Sequence, residues 1–353
     1  MTAATTALAC MLLSGAAACL TAGSPAAAAP VTQVEPAGSG YWTGHFTVGA
    51  GRHLSFYANR PMRRDRSIDT VIVVIHGAGR DAANAANDAA TAAFAAGHAH
   101  GTAVIAPAFR ASSAGGMCHD VLEDGEVDWG CWGWRYGDPA GNAATDSFAA
   151  MDEMLQWLGT RATYPNLRKI IVLGNSAGGQ FVARYALVNT VQDKLTVAVD
   201  YVAANASSYA YLDKQRPRTP NDVLDPATAG TFRLKDVADA QGCTGFDEWR
   251  YGLSGRIGYS GKVTEARIRS NAASRKLTIL AGELDDHPNT LMDETCRAYY
   301  QGANRLERAR NYVAYLEAAF HGTPVMATVP GCGHNATCMY VTEAARKEVF
   351  GAR

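Results

Sequence analysis

Neither sign of charge dominates this chain: 33 acidic and 32 basic side chains in 353 residues leave a formal net charge of -1. That balance removes the electrostatic footprint needed to hold a nucleic acid or another polyanion. The eight cysteines include no CxxC pair, so no zinc or redox dithiol spacing is present. Long hydrophobic runs are missing too. The apolar patch at about 8–20 is too short and too small-sided to span a bilayer. No Lys or Arg precedes it, yet with the small-residue run 26–29 it predicts a secretory leader over residues 1–29. A misplaced start and a disordered Ala-rich leader are the alternatives, and Cys19 behind three alanines is a poor match to a lipid-attachment cysteine.

What is present fits export. Removing the leader takes away Cys10 and Cys19 and leaves six cysteines, an even number that suits three disulfides in an oxidising compartment, secreted or periplasmic. Cys118–Cys131 and Cys332–Cys338 are near enough in sequence to close small loops, and Cys243–Cys296 would then tie two distant segments. Six reduced cysteines in the cytoplasm are the rival.

The most informative stretch is 169–180, KIIVLGNSAGGQ. Ile170, Ile171, Val172 and Leu173 predict a buried strand, and an amphipathic segment follows Gly178. A serine between them sits on a sharp turn whose flanking Gly174 and Gly178 must be small where helix and strand approach. Around it, a hairpin is predicted from 41–48 and 53–57 joined by Gly-Ala-Gly, and strands at 70–75, 102–107, 195–203, 276–281 and 324–329. Helices are predicted at 83–97, 146–158, 304–319 and from about 342. Residues 109–143 show no period, and 205–270 are loop-rich, suggesting an insertion or small cap after the sixth strand. Apolar strands alternating with helices predict an α/β fold with a mostly parallel central sheet. Its ligands lie beyond the strands' carboxyl ends, where His76, Ser176, Asp285 and His334 all fall.

A serine hydroxyl becomes a useful nucleophile when a base removes its proton during attack. His334, in the Gly-rich segment VPGCGHNATC, is the candidate base, and Asp285 is preferred over Asp286 and Glu283 as the carboxylate orienting it. His76 reads as a structural residue of the oxyanion loop and His287 as a rim residue. Backbone N–H groups of Ala177 and of the turn 76–80, Ala78 first, are the candidate oxyanion donors. Arg80 either holds a carboxylate or pairs with the adjacent Asp81. Trp132, Trp134, Tyr209 and Tyr211 are candidate walls of the substrate site, with packing of an irregular loop as the equal alternative.

HGAGRD after a strand, GNSAGG at the turn, GELDD after a late strand and GCGH near the end resemble the α/β-hydrolase superfamily, in its Ser, Asp, His order. The similarity covers about 40–350. WRYGD, LGNSAGGQFVARYA, NASSYAYLD and QGANRLERARNY resemble a bacterial group of secreted or periplasmic hydrolases. The resemblance implies one catalytic domain over 30–353, with Ser176 as nucleophile, Asp285 as acid and His334 as base. Asn175 stands where many relatives have histidine. The implied reaction is hydrolysis of a small-molecule or polymeric carboxylic ester without metal or organic cofactor. A serine amidase or peptidase, a polyester depolymerase and a catalytically silent binding protein are the alternatives.

Overall fold

The computed structural model describes residues 31–34, 40–112, 118–217, 235–236, 243–289 and 291–351. The leader expected over 1–29 lies outside them. β1 (Val31–Val34), β2 (Trp42–Val48) and β3 (Arg52–Ala58) form an antiparallel edge, with β2 and β3 joined across Gly49, Ala50 and Gly51. β4 (Thr70–Ile75) and β5 (Thr102–Pro107) pair parallel, and β5 meets β3 antiparallel. β6 (Lys169–Asn175) and β7 (Ala198–Ala204) continue the parallel sheet beyond β4. β8 (Gln215–Arg216) and β9 (Lys235–Asp236) make a separate two-residue ribbon. β10 (Leu277–Gly282) and β11 (Val325–Val329) complete the main sheet in the order β1-β2-β3-β5-β4-β6-β7-β10-β11.

The central strands β4, β5, β6 and β10 are buried along nearly their whole length, which explains their unbroken aliphatic sequences. Each fully buried Val, Ile or Leu contributes roughly 1.5–3 kcal/mol relative to exposure. Helices cover both faces. α1 (Ala82–Ala95) lies on one face, and α2 (Ser147–Gly159) and α3 (Ala177–Val188) lie on the other. The short α4 (Gly258–Gly261) precedes α5 (Glu265–Ser274), and α6 (Cys296–Tyr299) precedes α7 (Arg305–Phe320). α8 (Ala336–Val341) and α9 (Glu343–Phe350) join α1 on its face. The α1 face uses alanine at Ala82, Ala86, Ala89, Ala92 and Ala93, so this small-sided helix sits close to the sheet.

The irregular stretch after β5 is packed rather than loose. Phe109 stacks on Trp134 and Phe181 and meets Trp129 edge-on, while Cys118–Cys131 closes the stretch. β7 begins at Ala198 instead of 195 because Val191–Lys194 forms a 3-10 turn first. The insertion expected after the sixth predicted strand follows β7. Of 205–270, residues 205–212 are buried body and Glu265–Ser274 is α5, tied to α3 by Asn271 donating to Leu187 O. The rest of that expectation falls partly on 218–234 and 237–242, outside the described residues. Among the described residues no helix is long and apolar enough to cross a membrane.

Candidate active site

β6 ends at Asn175 and α3 begins at Ala177, leaving Ser176 alone on the bend with φ 59 and ψ -117. A non-glycine residue here is strained, and the surrounding contacts hold it there. Ser176 N–H donates to Ala204 O at 2.9 Å, pinning the bend to the end of β7. The flanking glycines are required by close approach. A Cβ on Gly174 would lie 2.4 Å from the Gly178 backbone, and one on Gly178 would lie 2.2 Å from Ile75 O. The tight turn is thus wedged against the end of β4, and Ser176 projects beyond the sheet.

His334 lies in the loop between β11 and α8. Its Nδ1 is 2.7 Å from Asp285 Oδ2 and its Nε2 is 2.9 Å from Ser176 Oγ. With Nδ1–H donating to the carboxylate, Nε2 offers its lone pair to the hydroxyl. This arrangement can accept the serine proton as the oxygen attacks a carbonyl, with the imidazolium held by Asp285. Cys332–Cys338 closes the loop, Leu284 N–H donates to Cys332 O at 2.8 Å, and Gly331 N–H donates to Glu283 Oε2. A Cβ on Gly282 would come 2.4 Å from Cys332 O, so β10 and the histidine loop also touch directly. The other two disulfides are Cys118–Cys131 and Cys243–Cys296, each pairing as expected. Three such bonds are chemistry that persists outside the reducing cytoplasm.

The alternatives for the acid separate cleanly. Asp285 is buried, whereas Asp286 is exposed and pairs with exposed His287 at 2.9 Å, and Glu283 is bonded to the Gly331 amide. His76 is fully buried. Its Nδ1–H donates to Gly77 O at 2.9 Å and its Nε2 accepts the Phe109 N–H at 3.0 Å. Desolvation lowers its pKa to about 4, so it is a neutral strut for the turn 77–79. Among the described residues the N–H groups of Ala78 and Ala177 have no hydrogen-bond acceptor. Ala177 N–H also opens α3, where the helix dipole is positive. Ala78 lines the same cavity as Ser176, about 360 Å³ in volume and walled by α1 on one side and by the His334 loop with α8 on the other.

Four aromatic candidates are placed elsewhere. Trp134 is 1% exposed and stacked with Phe109 beside His76, so it backs the site from within the core. Tyr209 is 0% exposed and stacked on Tyr312, and Tyr211 is buried against Tyr315. Trp132 is exposed under the Arg135 guanidinium and does not line the cavity at Ser176. The apolar surface of Trp134, Tyr209 and Tyr211 is consumed by packing. Arg80 holds a carboxylate, that of Asp120, rather than pairing with Asp81, which caps α1 by accepting from Asn84 N–H.

Two residues central to the geometry escaped the sequence reading. Buried Asn205, directly after β7, donates through Nδ2 to Asn175 Oδ1 and to Gly333 O, both at 3.2 Å, and accepts Gly282 N–H at 2.9 Å. Arg305, at the start of α7, is fully buried and donates to Asp285 Oδ1 at 3.2 Å and to Ser207 Oγ. A signal for each was available. Asn205 occupies a strand end of the same rim, and an arginine in the first turn of a helix opposes the helix dipole unless a carboxylate awaits it.

Residues 72–352 match the family model described as the alpha/beta hydrolase family. Among solved structures, the chain is similar to LpqC, a poly(3-hydroxybutyrate) depolymerase from Bordetella parapertussis. The two share 21% identity over 89% of this chain and 90% of that one, with a TM-score of 0.58. It is likewise similar to poly(aspartic acid) hydrolase-1 from Sphingomonas sp. KT-1, at 22% identity over 88% and 98% of the chains and a TM-score of 0.57. A search of curated proteins finds no match. With four-fifths of its length matched by that family model and the family's parallel sheet and serine turn in its structure, the chain belongs to the alpha/beta hydrolase family.

Proposed function

We propose that this family member hydrolyses carboxylic esters through an acyl-enzyme, with Ser176 as nucleophile, His334 as base and Asp285 as the acid that orients it. The observation carrying this is the imidazole of His334 set between Ser176 Oγ at 2.9 Å and Asp285 Oδ2 at 2.7 Å. Ser176 attacks the ester carbonyl while His334 takes its proton, and the oxyanion gathers against the Ala177 and Ala78 amides. His334 then protonates the leaving alcohol, and water attacks the acyl-serine with its proton passing to the same imidazole. None of these steps calls on a metal or organic cofactor. Export is supported by the leader-like segment together with the three disulfides. Any covering role for the insertion falls to residues after Leu212, since 205–212 are part of the buried body.

The test is a burst assay with p-nitrophenyl butyrate plus labelling by a fluorophosphonate. A burst matching the enzyme concentration and a single label on Ser176 are expected, with Ser176→Ala lowering kcat by about 10⁴-fold or more. No burst and no label would leave the catalytically silent reading. A p-nitroanilide of the same acyl group separates esterase from amidase. Suspensions of poly(3-hydroxybutyrate) and solutions of poly(aspartic acid) supply one neutral polyester and one polyanion for the polymer alternatives.

A further inference from the structure

The cleft above Ser176 is polar in a one-sided way. Its α1 wall carries Asp81, Asn84 and Asp88, and its opposite wall carries Thr337 and Tyr340 of α8. Apart from the imidazole of His334, the charged side chains lining it among the described residues are Asp81 and Asp88, and no Lys or Arg lines it. The one arginine nearby in sequence, Arg80, is turned into its pair with Asp120. Among the described residues neither Asp81 nor Asp88 has an ion-pair partner: Asp81 caps α1, and Asp88 accepts from Thr337 Oγ1. Asp88 is half-buried, and its carboxyl pKa is raised by desolvation and further by Asp81. The two aspartates are seven residues apart, just under two helical turns, so they share the cleft-facing side of α1 about 10 Å apart. Asp81 directly follows the turn 76–80 that faces the reacting carbonyl, and Asp88 lies farther along.

An arm of substrate running from Ser176 along α1 therefore passes Asp81 and ends at Asp88, where the Thr337 hydroxyl joins the two walls, with no cation to offset either carboxylate. We propose that the cleft selects esters by charge, preferring an arm that ends in an ammonium group, accepting a neutral hydroxylated one and rejecting one that carries a carboxylate. This rests on the ester-hydrolase function proposed above, and it places anionic polymers and dicarboxylate half-esters outside the substrate class. Ester and water still give acid and alcohol. The aspartates take no part in bond making and act on the arm that does not react.

The test compares three p-nitrophenyl esters of nearly equal length: heptanoate, 6-aminohexanoate and the adipate half-ester. Three choline esters beside their 3,3-dimethylbutyl counterparts cover the case in which the arm is the alcohol. The expected kcat/KM ratio of cationic to anionic ester is roughly tenfold or more at low salt, and it shrinks in 0.5 M NaCl. In Asp81→Asn/Asp88→Asn the ratio should fall toward unity. Asparagine keeps both the helix cap and the acceptor for Thr337, and thermal melts check that the fold is retained. An anionic ester cleaved as well as its cationic match, or a charge order that survives in the double variant, overturns the proposal alone. Absence of turnover with the neutral ester overturns the ester-hydrolase function and this inference with it.

Discussion

Asn205 donates a hydrogen bond to Asn175 Oδ1 at 3.2 Å, one residue before Ser176 on the bend. The same amide holds Gly333 O beside His334, and its Oδ1 takes the Gly282 N–H at the end of β10, three residues before Asp285. One buried side chain therefore ties the three chain segments that carry Ser176, His334 and Asp285. It touches none of the reacting atoms, so it is a positioning residue. Asn205→Ala removes all three bonds and leaves a buried amide without a partner, at a cost of about 1–3 kcal/mol. Because displacements near 1 Å can cost roughly a hundredfold in rate, kcat with p-nitrophenyl butyrate should fall between tenfold and a hundredfold. KM should stay within about threefold, since the cleft walls are untouched. A rise in KM with kcat preserved would contradict the positioning role.

Arg305 and Asp285 form an ion pair in which both side chains are essentially inaccessible. Burial lowers the Arg305 pKa, with Asp285 opposing that shift. Truncating one member of a buried pair costs about 3–5 kcal/mol, and here the His334 Nδ1–H and Asn289 Nδ2 remain as partners of Asp285, which sets the loss at the lower end. Arg305→Met keeps the side-chain volume and removes the charge, so denaturant titration should show a loss of that order, larger than for any exposed pair such as Asp286 with His287. Equal small losses at both sites would mean that Asp285 is stabilised by other groups.

How much of this was legible depends on whether a constraint is local. Gly174 and Gly178 are demanded by the tightness of one turn, so their spacing around Ser176 is visible in a dozen residues. Asp285 and His334 each fall just past a strand, and strand ends are readable from apolar runs. Asn205 acts through partners at 175, 282 and 333, so its place at a strand end marks the rim but not the three segments it joins. The aromatic residues failed for a different reason. Where the chain has no period, as at 109–143, composition gives no facing direction, and Trp134 points inward beneath His76 while Trp132 points outward. The carboxylates of the cleft were hidden likewise: Asp81 lies before the helix predicted over 83–97 and Asp88 within it, and neither position alone shows which way a side chain faces.

Buried His76 couples stability to acid. Its pKa is lowered from 6.5 to about 4 by desolvation, so between those values the unfolded chain binds a proton that the folded chain does not. Stability from this group is full above about 6.5, declines as pH falls through that window, and loses about 3 kcal/mol by pH 4. His76→Gln should flatten that part of the stability–pH curve, read as denaturant midpoints at several pH values between 4 and 7. Because buried carboxyls such as Asp146, raised to about 6, tilt the curve the other way, the readout is the difference between the two proteins: a slope unchanged in His76→Gln would mean that His76 is not neutral and buried in solution.

The Cys332–Cys338 bond encloses His334 in a short loop, six residues apart in sequence. In the chain-entropy account a loop this small is worth about 2 kcal/mol. The histidine loop is also held by Leu284 N–H on Cys332 O, by Gly331 N–H on Glu283 and by Asn205 on Gly333 O. Losing the disulfide should therefore loosen the imidazole without releasing it. Cys332→Ala/Cys338→Ala is expected to lower kcat by about tenfold, with fluorophosphonate labelling of Ser176 slowed by the same factor, because both report the base. Cys118→Ala/Cys131→Ala removes a bond in the stretch after β5, whose described residues line no part of the cleft and reach the turn 76–80 only indirectly, through Asp120 on Arg80, and should lower the melting temperature while kcat falls by less than about threefold. If both pairs change only the melting temperature, the hydrogen bonds alone hold His334 in register. If both lower kcat alike, the effect travels through the whole fold and the bond around His334 has no special part in aligning it.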